Sequence, residues 1–154
     1  AKGLGGGFPI GAIWINHHHT DIFGPGSHGT TFGGSPLACS AAHAVLDILE
    51  EEDLISAAKK HGNFLCLKLS DLANKYPTLI SEIRGRGLML ALAIKRDPTQ
   101  IISMLRESGL LVVAAGGNAI RFLPPLNVKI EEINQAVQIL DKIFSKIQKL
   151  ETSK

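Results

Sequence analysis

Apolar residues recur along most of this chain at steps of three and four, and each such run predicts a helix. Leu37, Ala41, Val45, Leu46 and Leu49 follow that spacing behind Ser35 and Pro36, an N-capping residue and a proline suited to the first helical position, so a helix is expected to about Glu51. A second is expected from about Leu54 to Lys75. It stops before Tyr76-Pro77, because a residue preceding proline is pushed out of the α region, and Gly62 is a place where it can bend. The last, Glu131 to Leu150, places Ile133, Val137, Leu140, Phe144 and Ile147 on one stripe, with its acids first and its lysines last as the helix dipole prefers.

Between these stand runs of a different character. Pro9 to Ile15 is β-rich and apolar and is read as a short buried strand, with a brief helix over His17 to Phe23. Ile83 to Ile94 reads as a turn feeding a strand buried on both faces. Asp97-Pro98 opens a helix through Arg106 that Gly109 ends, and Leu110 to Ala114 and Ala119 to Leu123 flank Gly116-Gly117-Asn118 as a hairpin. From about residue 78 the expected order is strand, helix, two strands, helix, a small α+β sandwich. No internal repeat is present.

Composition narrows the class. With 154 residues, 45% hydrophobic and 19% charged, the chain is long enough for a domain with a real core and is not disordered as a whole. Its apolar runs fall well short of the ~20 residues that span a bilayer, and no signal sequence leads it, so a cytoplasmic, membrane-free protein is expected. A formal net charge of +2, spread along the sequence, lacks the dense basic stripe that nucleic acid requires. Cys39 and Cys66 stand alone in apolar helical contexts and are expected to be buried, reduced thiols.

Two loops carry the chemistry. Gly5, Gly6 and Gly7 permit positive φ and close approach, so Lys2 is expected on a tight loop rather than a surface helix. The segment Gly24 to Pro36 has no periodicity at all, and ordered loops of that length are usually functional. A glycine-rich loop that runs into a helix N-terminus offers hydroxyls, backbone N–H groups and a favourable dipole to an anion such as phosphate. His17-His18-His19 cannot converge on one metal ion and reads as a solvated helix entry, His28 as a residue that orders the loop, and no P-loop lysine frame exists. Arg84 and Arg86 read as structural, with Gly85 and Gly87 as backbone requirements of the strand entry.

The segment Ala1-Lys2-Gly3-Leu4-Gly5-Gly6-Gly7-Phe8-Pro9-Ile10-Gly11-Ala12 resembles the Schiff-base lysine region of the class III, pyridoxal-phosphate-dependent aminotransferases. His28-Gly29-Thr30-Thr31-Phe32-Gly33-Gly34-Ser35-Pro36 is similar to that family's next signature, in the family's spacing. Ile83-Arg84-Gly85-Arg86-Gly87-Leu88-Met89 and Ile120-Arg121-Phe122-Leu123-Pro124-Pro125-Leu126 fall where its small-domain motifs would. The resemblance therefore covers nearly the whole chain.

It implies an α/β, fold-type I architecture. Residues 1–77 would be the end of the cofactor-binding large domain with connecting helices, and residues 78–154 the small C-terminal α+β domain. It implies pyridoxal 5'-phosphate as cofactor, Lys2 as its covalent partner and the base that moves a proton, and Thr31 on the cofactor phosphate of a neighbouring subunit. Thr30 would lie near the substrate, and Arg121 at the mouth of the site facing an acid from the large domain; read from the residues alone, Arg121 is equally an edge-strand residue with its head in water. A homodimer is implied, since Lys2 and Thr31 would serve two sites. The substrates implied are acetylornithine and 2-oxoglutarate, giving N-acetylglutamate semialdehyde and glutamate in arginine biosynthesis. Family members acting on ornithine, succinyldiaminopimelate or 4-aminobutyrate are alternatives, as is an interaction module that keeps only the small-domain fold. The family's ring-stacking aromatic, pyridine-nitrogen aspartate and carboxylate-binding arginine have no counterpart in this chain. The chain by itself is therefore expected to be inactive, a fragment or one of two chains.

Overall fold

The computed structural model describes Ala1 to Thr152; the last two positions of the second predicted domain lie outside the described residues. The chain forms two compact units, Ala1–Leu54 and a second beginning at Ile55.

The first unit has two 3₁₀ turns, Lys2–Gly5 and His17–Ile22, and helix α1, Pro36–Glu51. Asn16 caps the second turn through its side chain, which accepts from the His18 N–H at 3.1 Å. Ser35 and Pro36 open α1 as expected, although the Ser35 hydroxyl makes no capping bond. The strand expected over Pro9 to Ile15 is absent. The segment has no ladder partner among the described residues, and a strand exists only through one. Its Ile13 and Trp14 are 76% and 83% exposed.

The second unit contains helix α2 (Leu54–Lys75, whose first residue closes the first unit), strands β1 (Ile80–Arg86) and β2 (Met89–Ile94), helix α3 (Thr99–Glu107), strands β3 (Val113–Ala115) and β4 (Ala119–Phe122), and helix α4 (Ile130–Thr152). The strands make one antiparallel sheet in the order β1-β2-β4-β3. The molecule is thus a mixed helix and strand protein. The segment Ile83 to Ile94, expected to be a turn feeding one strand, is instead part of a two-stranded hairpin. β1 begins at Ile80, and Gly85 and Gly87 take φ of +119° and +56° around the reversal. At Gly85 a Cβ would stand 2.0 Å from the Met89 carbonyl oxygen, so the strand entry does demand glycine there.

Alternation along the strands divides the sheet into two faces. Leu90 stands opposite Phe122 and Leu92 opposite Ile120, and these side chains are buried. They join Leu65, Leu69 and Leu72 of α2 and Leu140, Phe144 and Ile147 of α4 in one core. The other face carries Glu82, Arg84 and Arg86 on β1 and Arg121 on β4. The expected boundary after residue 77 placed α2 with the first segment. Its leucine stripe packs with the sheet's core instead, so the compact units divide at its start.

Gly62 does not mark a bend so much as a contact: a Cβ there would lie 2.3 Å from the backbone carbonyl carbon and oxygen of Gly87, so α2 rests directly on the β1–β2 turn. Cys39 and Cys66 are free but half-buried rather than buried.

Candidate active site

Lys2 opens the first 3₁₀ turn with φ +61°, in the left-handed region that side chains avoid. Among the described residues two other non-glycine residues share that region, Asp53 and Asn118. Aspartate and asparagine visit it readily; lysine does not, at a cost of about 1–2 kcal/mol. The turn around it is built by glycine. Gly5 is buried, and a Cβ on it would stand 2.7 Å from Ile10 Cγ2; Gly6 ends the turn at φ +59°, its N–H donating to the Gly3 carbonyl, beside Val45 of α1. Lys2 itself is exposed.

The second loop is a series of tight turns that delivers Thr30 and Thr31 to the start of α1. The Gly33 N–H donates to the Thr30 carbonyl at 3.3 Å, and the Ser35 N–H to that of Phe32 at 3.3 Å. A Cβ on Gly33 would meet Thr30 Cγ2 at 2.4 Å, and Gly34 takes φ +70°. Both glycines are needed by the turn. Thr30 and Thr31 are exposed, and the first turn of α1 follows with the unpaired N–H groups that every helix start presents. His28 packs edge-on to Phe23, ring centroids 5.1 Å apart, which agrees with its expected part in ordering the loop.

Arg121 lies in the second unit. Because β4 is an interior strand, the reading of an edge residue with its head in water is corrected: the side chain is half-buried, and its Nε is buried with no hydrogen-bond partner among the described residues. A buried guanidinium N–H of that kind can take an acceptor that the described residues do not supply. Lys2, Thr30 and Thr31 thus share the first unit, and Arg121 stands in the other.

These residues fit pyridoxal phosphate in chemical type. An aldehyde wants an amine, present at Lys2 on a turn where Gly5 admits no side chain. A phosphate wants hydroxyls and helix-start N–H groups, present at Thr31 and α1.

One feature outside this set went unread in the sequence. Asp141 of α4 accepts from Lys75 Nζ at 2.7 and 2.9 Å and from the Tyr76 hydroxyl at 2.7 Å, tying the end of α2 to α4. The Lys75 and Tyr76 hydrogen bonds hold the Asp141 carboxyl below the usual carboxylate range. The bond to Asp141 raises Lys75, and burial, with that same carboxylate, raises Tyr76. No spacing rule connects positions so far apart.

The family model for class III aminotransferases matches residues 1–144. Acetylornithine aminotransferase, mitochondrial, of Neurospora crassa is 42% identical over 147 residues, which are 96% of this chain and 32% of that protein. The acetylornithine aminotransferase of Gloeobacter violaceus is 43% identical over 148 residues, 96% of this chain and 37% of that one. Among solved structures, acetylornithine aminotransferase from Elizabethkingia anophelis matches with a TM-score of 0.74 at 38% identity, covering 82% of this chain and 34% of its own. Ornithine aminotransferase from Toxoplasma gondii ME49 does so with a TM-score of 0.74 at 38% identity, covering 84% and 31%. The chain spans about a third of the length of these relatives. With the lysine turn, the threonine loop and the two small-domain motifs all inside the matched residues, the chain belongs to the class III aminotransferases, a family of pyridoxal-phosphate-dependent enzymes.

Proposed function

We propose that this chain supplies the lysine, the phosphate-loop threonine and the small-domain arginine of an aminotransferase that moves the terminal amino group of acetylornithine to 2-oxoglutarate. The observation that carries the reading is Lys2 held at φ +61° by a glycine turn, since a strained lysine persists only where the surrounding structure imposes it. The relatives that this chain matches include acetylornithine aminotransferases, and they support the choice of amino donor.

When bound, pyridoxal phosphate supplies an electron sink for the carbon that loses a proton. Lys2 Nζ, in its neutral form, would be the amine that holds the cofactor's aldehyde and, when free of it, the base that would take the proton from the carbon bearing the donor's amino group. Thr31 Oγ1 and the N–H groups at the start of α1 hold the phosphate, in the site of a second copy within a homodimer. Thr30 borders the substrate. Arg121 directs its unpartnered Nε–H toward a carboxylate, either the substrate's or that of an acid from the rest of the enzyme.

The test uses the holoenzyme. Lys2→Ala is expected to abolish the visible absorbance of the lysine-bound cofactor and to lower transamination by on the order of a thousandfold or more. An undiminished band and rate would remove Lys2 from the role. A second reading, ornithine as donor, is favoured by the equal likeness to the Toxoplasma ornithine aminotransferase structure. The ratio of kcat/KM for acetylornithine and ornithine separates the two.

A further inference from the structure

One straight row crosses the whole sheet on the face away from its core. Arg84 of β1 stands opposite Ala91 of β2, Ala91 opposite Arg121 of β4, and Arg121 opposite Val113 of β3. Two arginines therefore leave the same face with one methyl group between them, about 10 Å apart at ordinary strand spacing. Like charges so placed repel, and left alone they would contest the space above Ala91.

Arg84 does not stay in the row. Its guanidinium is held by Glu82 of the same strand and face. Its Nη1 lies 2.9 Å from where a Cβ on Gly117 would stand, with Cζ and Nη2 at 3.9 Å. Gly117 belongs to the β3–β4 turn, so the side chain of an edge strand reaches across to the hairpin that carries Arg121. The route is open because the residues along it are small: Ala93 and Ala119, both buried, carry only methyl groups, and Gly117 has no side chain. Arg121 Nε meanwhile finds no partner among the described residues that would fix its direction.

We propose that Arg84, anchored by Glu82 and seated against the Gly117 turn, is a positioning residue for Arg121. It keeps one cation out of the shared row and braces the hairpin, so that the Arg121 guanidinium leaves the sheet in a single direction. The inference rests on the proposed function for what Arg121 binds, but not for whether Arg84 orients it.

The experiment follows the Nε–Hε resonance of Arg121 in the 154-residue chain, identified as the signal lost in Arg121→Lys. Arg84→Ala is expected to move that resonance and to speed its hydrogen exchange by about tenfold, as a held group becomes a mobile one. Glu82→Gln should move it in the same sense. Arg86→Ala removes an equal charge from the same face of the same strand and should leave it in place. An unmoved resonance in Arg84→Ala, with the backbone amides of the second unit unchanged, overturns the proposal, and so does an equal displacement in Arg86→Ala. If the Arg84 variant does not fold, Arg84→Lys keeps the charge but loses the planar reach to Gly117, and is judged by the same resonance. In the holoenzyme, an Arg121→Lys variant with unaltered kcat/KM would sink the functional reading of Arg121 while leaving this result standing.

Discussion

At the scale of single residues, the carboxylate of Asp141 sets how the second unit responds to pH. Its proton affinity is depressed by Lys75 and Tyr76, so the stability it contributes is present above the ordinary carboxylate range and is lost as pH falls through the depressed value. Lys75 is raised by the same bond, so its share is present below the ordinary lysine value and is lost as pH rises beyond it. The urea midpoint is therefore expected to fall on both limbs, below about pH 4 and above about pH 10, and Asp141→Asn should flatten both. Asp97, depressed by the Thr99 hydroxyl and N–H, keeps part of the acid limb in that variant. A variant whose two limbs match the parent's would contradict this account. None of this was legible beforehand, because position 141 reads as one more polar residue on a helix stripe. The turns that carry Lys2 and Thr31 were legible, since they are local and glycine announces them. The burial of Arg121 Nε was not, because it depends on β4 lying inside the sheet.

At the scale of elements, the contact between α2 and the β1–β2 hairpin is made backbone to backbone. Gly62→Ala would drive a Cβ to 2.3 Å from Gly87, where no flexible atom can give way. A loss of at least about 2 kcal/mol is expected in chemical denaturation, against the small gain that a glycine-to-alanine change brings in an open helix. An unchanged midpoint would show that the two elements part easily. The helices were readable to within a residue or so because their apolar stripes are local signals with clear stops at Pro77 and Gly109. The strands were less so. β1 alternates Glu82, Arg84 and Arg86 with few apolar partners, so an exposed edge strand resembled a turn. Pro9 to Ile15 has the composition of a strand and no ladder to make it one. Pattern gives a segment's preference; partners decide whether it is met.

At the scale of the whole chain, the core cluster lies entirely in the second unit, whereas the first unit leaves Ile13, Trp14 and Phe32 largely uncovered. A polypeptide beginning at Asp53 is therefore expected to unfold in one cooperative urea transition at nearly the parent's midpoint for that unit. A non-cooperative loss of signal would mean that the core depends on residues before it. The division at Ile55 was not visible in the sequence, where α2 was placed with the first segment; the partners of its leucines put it in the second unit.

The same division distributes the chain's chromophores. The sequence holds one tryptophan and one tyrosine. Trp14 stands in the open in the first unit, while Tyr76 is buried in the second and hydrogen-bonded to Asp141. Indole emission excited beyond the tyrosine band thus reports on the first unit alone, and the phenol's near-ultraviolet signal on the second unit alone. Without any added label, the protein carries a separate optical gauge on each half, so the loosening of one can be timed against the other in a single cuvette.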